Sequence, residues 1–524
     1  MRRLLFHVRR TVRDLRRGGI RVLVRKVRRI PDALRSSSPW RLVTGTRDAF
    51  VLLVLAVRFR GGARGRDWIL ERLRVMRQSA SASARRDPID GAVRGIRGAI
   101  SVGRISEAAT IVESLPSGVL DDPRVLHERA QVAYLRGDWE SVTALKKAEV
   151  EVRDRRAADS WVGSLNVRFL SGAFTGHIGH LGLIDLVVKA RELGLLSPEP
   201  RQVVARRESV ANVPYLECWR PHVEIAYVDV EQYRNFEETM RPLFDDISVV
   251  RLRSGLTDLY TAYSSVNERW RLENRGPLLV ADPDVTARGR ATLARHGLDP
   301  EGWFVGLHVR EGDPHWWTNA VDADPLSYVP MIEAIVAAGG TVVRMGNPTM
   351  TPLPDIRGCI DYAHLSERSP ELDVVLWSQC RFFVGTPSGP LAVPPTFGRP
   401  SLLTNMPPIG LDQWFERHVV LPKRIVRATG RAIPYDELLR GPFGWSISRR
   451  HEGLDGSVVD NTPDELVDAA EEMLRLTVSA SFPGPTAAQT AVSASLRALG
   501  RTGSSPVAQS FIDRHPDLFP SATG

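Results

Sequence analysis

The chain has 524 residues and a mass of 58.2 kDa, which at roughly 100–200 residues per domain predicts about three or four units. Its composition is 43% hydrophobic and 25% charged, which excludes a mostly disordered or fibrous chain. Three widely spaced cysteines, Cys218, Cys359 and Cys380, exclude a disulfide scaffold and a cysteine-based zinc module. No apolar run reaches the ~18–20 residues that a membrane span needs.

The positive charge is concentrated at the N-terminus. Residues 1–30 hold eleven Arg and Lys26 against Asp14, a net charge of +11, so the other 494 residues carry −2 of the chain's total of +9. A nearly neutral body argues against a large nucleic-acid-binding surface, and we expect no nucleic-acid partner.

Residues 1–66 form the predicted basic amphipathic segment. Its apolar residues recur on one helical face: Leu4, Val8, Val12 and Leu15. Such a helix can bind an anionic membrane surface, although a solvated tail is the alternative. We therefore expect a cytoplasmic protein that associates peripherally with the inner face of the membrane.

Residues 67–158 show helical periodicity and two stretches that align at an offset of 34, the tetratricopeptide period. The matched pairs are Ala99 with Ala133, Ile100 with Tyr134, Gly103 with Gly137, Ile105 with Trp139, and Ile111 with Leu145. Two interpretations remain open: a pair of helical hairpins packed on the neighbouring domain, or a docking surface for a protein partner.

Two α/β halves follow, and both are predicted from strands that alternate with helices. In the first, residues 159–300, a strand at 165–170 leads through a Gly- and His-rich loop at 171–179 into a helix at 180–193. Further strands are predicted at 223–229 and 247–252, with a last helix at 285–296. This order is typical of a Rossmann-like domain.

The second half, residues 301–476, is predicted from a strand at 304–309, a helix at 325–338 and further strands. Those strands are placed at 341–345, 359–362, 381–384 and 401–404. Ser369 starts a helix, and Thr462 with Glu465 forms a capping box for a helix through about 476. Helices near 486–499 and 507–513 lie in the C-terminal segment, 477–524.

Two loops of the second half follow strands at their carboxyl ends, where parallel sheets bind ligands. The first contains His308, Arg310, Glu311 and Asp313. Arg310 offers a rigid fork of donors that suits a pyrophosphate, and Asp313 can hold that guanidinium or accept from a sugar hydroxyl.

The second loop contains Thr386, Ser388 and Gly389. Small residues let a ligand approach the backbone, and the helical turn that follows offers N–H groups to an anion. Arg344, at the end of a neighbouring strand, is a second candidate cation. Together these residues predict a site for a nucleotide diphosphate.

The strand that ends in His308-Val-Arg310-x-x-Asp313 resembles the signature of the α1,6-fucosyltransferase and protein O-fucosyltransferase superfamily. Residues 376–388 resemble its second conserved block, and the resemblance covers about 303–405. The chain also looks like a bacterial glycosyltransferase family in its Gly-His loop, in 263–279 and in the strand that ends at Arg344. Many superfamily members have a basic residue where this chain has Glu311.

The resemblance implies an α/β, GT-B-like fold: two facing Rossmann-like domains, with the donor nucleotide sugar in the second, here preceded by the tetratricopeptide-like segment. It implies transfer of a sugar from a nucleotide-diphosphate donor, with a GDP-sugar slightly favoured, to a cell-envelope, glycan or lipid-linked acceptor. It also implies inversion, no metal and no cofactor. Arg310 and Ser388 would contact the donor diphosphate, and Asp313 would orient the site.

The predicted diphosphate-binding residues are Arg310, His308, Ser388, Thr386, Gly389 and Arg344. Acceptor activation needs a carboxylate or an imidazole, and the predicted catalytic residues are Asp313, His180 and Glu311. His177 qualifies by type as well, and spacing singles out none of them. For His180, a structural histidine at a helix start is the alternative.

Other patterns keep alternatives open. Asp322-Ala-Asp324 and Asp282-Pro-Asp284 match the D-x-D pattern of metal-dependent transferases. The pattern is short enough to occur by chance, so aspartates in solvated loops are the better interpretation of both. An inactive transferase-like half attached to a helical-repeat adaptor is the main alternative to an enzyme. A nucleotide-sugar epimerase of similar shape is a third hypothesis.

Overall fold

A computed structural model describes residues 88–136, 138–312, 321–407, 417–440, 456–478, 482–499 and 505–519. The predicted basic segment, residues 67–87 of the helical segment, and Asp313 lie outside these ranges. Two parallel sheets surrounded by helices follow the helical segment, so the predicted α/β class with two Rossmann-like halves is confirmed.

The described part of the helical segment, from Pro88 onward, forms two helical hairpins. Helices α1 (Pro88–Ser101) and α2 (Ile105–Glu113) form the first, and α3 (Pro123–Arg136) and α4 (Trp139–Ala158) form the second. Helices α2 and α4 begin at the offset predicted from the sequence. In the first turn, Gly103 has a φ of +75°, a conformation that glycine adopts without strain.

Helix α4 is attached to the first α/β half by partly buried ion pairs. Asp154 lies 2.7 Å from Arg251 and 3.2 Å from Arg168, measured between carboxylate oxygen and guanidinium nitrogen. Asp246 lies 3.4 Å from Arg153 and 3.5 Å from Lys146. These contacts favour the interpretation that the hairpins pack on the neighbouring domain, since this face of α4 is already occupied.

The first half is built on a parallel sheet with the strand order β3-β2-β1-β4. Its elements are β1 (Arg168–Leu170), α5 (Gly172–Thr175), α6 (Ile178–Leu181), α7 (Ile184–Glu192), β2 (Arg201–Ala205), α8 (Val213–Cys218), β3 (Glu224–Tyr227), α9 (Val230–Met240) and β4 (Phe244–Asp245). An antiparallel hairpin follows, β5 (Val249–Leu252) with β6 (Gly255–Asp258), and then α10 (Leu259–Leu272). The predicted single helix at 180–193 is wrong: the chain forms the short helix α6 and then α7.

The second half is built on a parallel sheet with the order β12-β11-β10-β7-β8-β9. Its elements are α11 (Pro283–Ala294), β7 (Phe304–His308), α12 (Val329–Ala337), β8 (Thr341–Arg344), β9 (Cys359–Ile360), α13 (Pro370–Gln379), β10 (Phe383–Gly385), β11 (Ser401–Met406) and β12 (His418–Pro422). The strands β13 (Arg424–Val426) and β14 (Ser457–Val459) pair antiparallel, and α14 (Tyr435–Arg440), α15 (Pro463–Leu476), α16 (Ala487–Ala498) and α17 (Gln509–Arg514) complete the chain.

The predicted helix starts are confirmed. The Ser369 side chain accepts from the Leu372 N–H at the start of α13, and Thr462 and Glu465 form the reciprocal capping box of α15. These caps satisfy backbone N–H groups that have no partner within their helix.

Two segments lie on the second half. Helix α11, which the sequence analysis assigned to the first half, packs against α13, where a Cβ at Gly289 would lie 2.7 Å from Val375 Cγ2. At the far edge of the sheet, Val507 forms a parallel bridge with Val420 of β12. The segment 505–519 therefore adds to the second half.

A buried contact joins the two halves. The Tyr215 hydroxyl, at the end of a fully buried side chain of the first half, lies 3.1 Å from Thr396 Oγ1 of the second. The Tyr215 ring is 6.2 Å from that of Trp377 and 6.1 Å from that of Phe397. Asn212 Nδ2 donates to the Pro370 carbonyl at 3.1 Å. One hydrophobic core therefore runs through both halves.

Within the described ranges, no helix combines the length and the hydropathy that a bilayer crossing requires.

We expect Gly289→Ala to lower the free energy of unfolding by about 1–3 kcal/mol, because the added methyl overlaps Val375 in a packed interface. Gly98→Ala is the matched control. Gly98 lies on an exposed face of α1 with no atom near its missing Cβ, so alanine should stabilise by about 0.5–1 kcal/mol. Urea unfolding measures both. Equal stability of Gly289→Ala and wild type would contradict the packing.

Candidate functional site

The candidate site lies where the strand order of the second sheet reverses. The chain runs outward from β7 to β8 and β9 on one side and then returns to β10, β11 and β12 on the other. Ligands of parallel sheets bind in the crevice at such a reversal, outside the carboxyl ends of the strands. Here the crevice lies between β7 and β10, and the two loops singled out from the sequence both begin there.

Thr386 ties these two loops together. Its Oγ1 accepts from the Arg310 backbone N–H at 2.8 Å, and its own N–H donates to the His308 carbonyl at 3.2 Å. Its side chain has no exposed surface. The buried hydroxyl holds the loop that carries Arg310, and the predicted contact of Thr386 with a diphosphate stays a prediction.

His308 supports the second loop in a neutral form. Its Nδ1 lies 3.0 Å from Ser388 Oγ, and the residue is 6% exposed. Burial lowers the pKa of His308 to about 4, and the charges of Arg344 and Arg310 act in the same direction. A neutral, buried ring supplies no positive charge, so His308 supports Ser388, and its predicted contact with a diphosphate stays a prediction.

Arg310 is a partly exposed cation at this crevice, within the part of the chain that the structure describes. Its Nε donates to Asp322 Oδ1 at 2.9 Å, and a third of its side chain, 33%, is exposed, against 12% for Asp322. Burial raises the pKa of Asp322, and Arg310 and Lys423 partly offset this. Asp322 therefore orients the guanidinium through its Nε atom.

Lys423 extends this support. Its Nζ donates to the Asp322 backbone carbonyl at 2.6 Å and to Asp460 Oδ1 at 2.7 Å, and the side chain is 1% exposed. A buried ammonium needs such partners, because its desolvation is otherwise costly. The sequence analysis missed Lys423 and Asp460. The available signal was composition, since lysine occurs at only five positions in this Arg-rich chain.

Arg344 and Glu311 form a second buried cluster on the other side of β7. Arg344 has no exposed side-chain surface and donates to Glu311 Oε1 at 2.9 Å and to Asp361 Oδ1 at 3.0 Å. Glu311 Oε2 also accepts from Thr351, at 2.8 Å from the backbone N–H and 2.7 Å from Oγ1. Arg344 is thus buried with Glu311 as its counter-ion, and the predicted roles of the two residues in donor binding and catalysis stay predictions.

The Gly-His loop of the first half packs directly on the second loop. A Cβ at Gly179 would lie 2.9 Å from Gly389 Cα, and a Cβ at Gly389 would lie 2.5 Å from Ile178 Cγ2. Gly182 is similarly close to Ala392, with 2.9 Å from its missing Cβ to the carbonyl oxygen. Gly389 thus allows contact between the halves, whereas we predicted it as a contact for the diphosphate.

His177 and His180 lie on this facing loop, with their ring centroids 4.9 Å apart. His177 Nδ1 accepts from the Gly179 N–H at 3.3 Å, and His180 Nδ1 lies 2.9 Å from the Ala173 carbonyl. Burial lowers the pKa of His177, and the charges of His180 and Arg310 lower it further. The predicted His180 and Arg310 therefore belong to one region of the molecule.

The aspartates of the two D-x-D patterns make different contacts. Asp282 caps α11 and Asp324 accepts from the Leu326 N–H, while Asp322 pairs with Arg310. Across the described ranges, no three or more His, Cys, Asp or Glu side chains are grouped to hold a metal ion. Asp313 and the tryptophans Trp316 and Trp317 belong to 313–320, outside those ranges.

Comparison with known proteins gave matches only among solved structures: no protein-family model and no curated protein matches the chain. A glycosyltransferase family 9 protein from Veillonella parvula DSM 2008 has a TM-score of 0.36 and 11% identity, over 59% of this chain and 98% of its own. The ADP-heptose lps heptosyltransferase II of E. coli has a TM-score of 0.36 and 12% identity, over 59% and 98%.

A third match is TibC, a dodecameric iron-containing heptosyltransferase determined with ADP-D-β-D-heptose, with a TM-score of 0.33 and 11% identity over 60% of this chain and 76% of its own. Similarity at this level does not carry the activity of these proteins over to this chain. None of the three is described as a fucosyltransferase, so the fucosyltransferase-like resemblance and the GDP-sugar preference gain no support from them.

We expect the free energy of unfolding to decrease as the pH is lowered, because of His308. Its folded pKa is about 4, below the usual 6.5, so the unfolded chain binds a proton first as the pH falls through this window. The free energy of unfolding should therefore drop between pH 6.5 and 4, by up to about 1.4 kcal/mol per pH unit for this residue. Buried His418, with a pKa of about 3, adds to the slope. Urea unfolding across this range should give a shallower slope for His308→Asn, and an unchanged slope would refute the assignment.

Proposed function

We propose that this protein is a glycosyltransferase that transfers a sugar from a nucleotide-diphosphate donor bound at the β7–β10 crevice. The observation that carries the proposal is the convergence of Arg310 and Ser388 at the reversal of a parallel sheet. Arg310 reaches this position through its backbone bond to Thr386, and Ser388 through its contact with His308. A guanidinium and a hydroxyl beside small residues suit a diphosphate.

The chemistry of the reaction explains why a cation is needed there. Cleavage of the bond between the sugar and the diphosphate leaves negative charge on the diphosphate oxygen. Preorganised donors that face this charge lower the barrier. Arg310, oriented by Asp322 but one-third exposed, meets this requirement. Ser388 supplies a neutral hydrogen-bonding group beside it.

The donor and the acceptor are assigned more coarsely. The arrangement at β7 and β10 recognises a diphosphate and does not by itself select a base or a sugar. The basic segment 1–66 favours an acceptor at an anionic membrane surface, such as a lipid-linked or cell-envelope glycan. Inversion and independence of metal remain parts of the proposal.

We expect a nucleoside diphosphate to raise the melting temperature of the full chain. At about 100 times its dissociation constant, the ligand raises the free energy of unfolding by roughly 2.7 kcal/mol. The melting temperature of a chain of this size should then rise by about 2–4 °C. ADP, GDP, UDP, dTDP and CDP are compared by thermal unfolding, and the largest shift identifies the nucleotide.

Arg310→Ala should abolish that shift, because it removes the cation that binds the diphosphate. Arg295→Ala is the matched control: Arg295 lies at the end of α11 and bonds only within its own helix among the contacts observed. It should retain the shift. Absence of a shift with all five nucleotides, or a shift that persists in Arg310→Ala, would contradict the proposal.

A further inference from the structure

We propose that His180 is the base that activates the acceptor hydroxyl. Its ring and the neighbouring ring of His177 lie on the first half, beside the proposed donor site. This inference rests on the proposed function and adds the group that completes it. It depends on the tautomer of each ring, on the contact between the two loops, and on the partners that occupy the competing carboxylates.

The tautomer of His180 is set by its backbone partner. Its Nδ1 lies 2.9 Å from the Ala173 carbonyl oxygen. A carbonyl can only accept, so Nδ1 must carry the proton. In the neutral ring Nε2 then carries the lone pair. This is the arrangement of a general base, in which one nitrogen is held by an acceptor and the other receives a proton.

His177 has the opposite tautomer. Its Nδ1 accepts from the Gly179 N–H at 3.3 Å, so the proton of the neutral ring is on Nε2. Burial and the charges of His180 and Arg310 lower the pKa of His177, which favours this neutral form. Its outer nitrogen can therefore only donate. Of the two neighbouring rings, His180 is the one that can take a proton through Nε2.

The loop contact places these rings beside the donor site. A Cβ at Gly389 would lie 3.0 Å from His177 Cε1, and Gly389 directly follows Ser388. The charge of Arg310 also contributes to the lowered pKa of His177, after burial and the charge of His180. The rings thus lie on the first half beside the loop that contains Ser388 and Gly389, and we place the approach of the acceptor hydroxyl on this side.

The described carboxylates near the site are committed to other partners. Glu311 accepts from Arg344 and from Thr351, and Asp322 accepts from Arg310. A carboxylate in an ion pair is a weaker base, because proton uptake would break the pair. The partner of His180 Nδ1 is the neutral backbone carbonyl of Ala173, so this contact forms no ion pair.

His180 Nε2 takes the proton of the acceptor hydroxyl while the hydroxyl oxygen attacks the anomeric carbon. The bond from that carbon to the diphosphate oxygen breaks, and its electron pair stays on the diphosphate beside Arg310. The imidazolium then returns its proton to solvent. The same step with water as the acceptor hydrolyses the donor, which provides an assay that needs no knowledge of the acceptor.

The test measures release of nucleoside diphosphate from a nucleotide sugar by the full chain, with water as the acceptor and the sugar nucleotide chosen by the melting-temperature shift. His180→Asn keeps a donor for the Ala173 carbonyl and removes the basic nitrogen. It should lower kcat by about 100-fold or more and leave the shift with the diphosphate unchanged. His296→Gln is the control, since His296 pairs with Glu367 on another surface, and it should keep the wild-type rate.

Rescue separates chemistry from structure. In His180→Ala, added imidazole should restore part of the lost rate, which a merely structural role would not allow. Wild-type kcat in His180→Asn, with the diphosphate shift intact, would overturn the assignment of the base and leave the proposed function standing. Absence of a diphosphate shift in the wild-type protein would overturn the proposed function, and the role of His180 with it.

Discussion

The close approach of two glycine-containing loops is the constraint on which the site depends. Gly179 and Gly182 of the first half meet Gly389 and Ala392 of the second at distances that leave no room for a Cβ at Gly179 or Gly389. Because these loops follow β1 and β10, their contact brings the carboxyl ends of the two sheets together. The histidines of one half and Arg310 of the other therefore belong to one region, and the buried Tyr215–Thr396 contact joins the same two halves.

Internal pairing determines which charges remain for a ligand. Adjacent residues after β7 have opposite partners: Arg310 turns to Asp322, and Glu311 turns to the fully buried Arg344. The loop is thus held from both sides, and of the two candidate cations, Arg310 on this loop is partly exposed whereas Arg344 of β8 is buried. Neutral His308 supports Ser388 without adding charge. Among the described residues of the two loops, the proposed diphosphate site therefore offers the oriented guanidinium of Arg310 with the neutral hydroxyl of Ser388 beside it.

The sequence predicted the elements with local signals and missed those that depend on distant partners. Ser369 and Thr462 are side-chain caps with fixed spacing, so α13 and α15 were correctly placed. Strand β2 was missed because it begins with two polar residues, Arg201 and Gln202. The partners of the buried Arg201 include Asp245 and the carbonyls of Ser197 and Glu199. The position of Arg310 followed from the strand end, but the burial of Arg344 depends on Glu311 and Asp361, which no local pattern joins. The rarity of lysine in this Arg-rich chain could have indicated buried ion pairs. Three of its five lysines, Lys146, Lys189 and Lys423, are buried with acidic partners.

A crystal structure of the full chain with its preferred nucleoside diphosphate tests the central claim most directly. The account predicts that the diphosphate lies between the ends of β7 and β10, within hydrogen-bond reach of the Arg310 guanidinium and of Ser388, with the His177 and His180 rings facing it from the first half. A diphosphate bound at the reversal of the first sheet, between β1 and β4, or at any position without contact to Arg310, would contradict it.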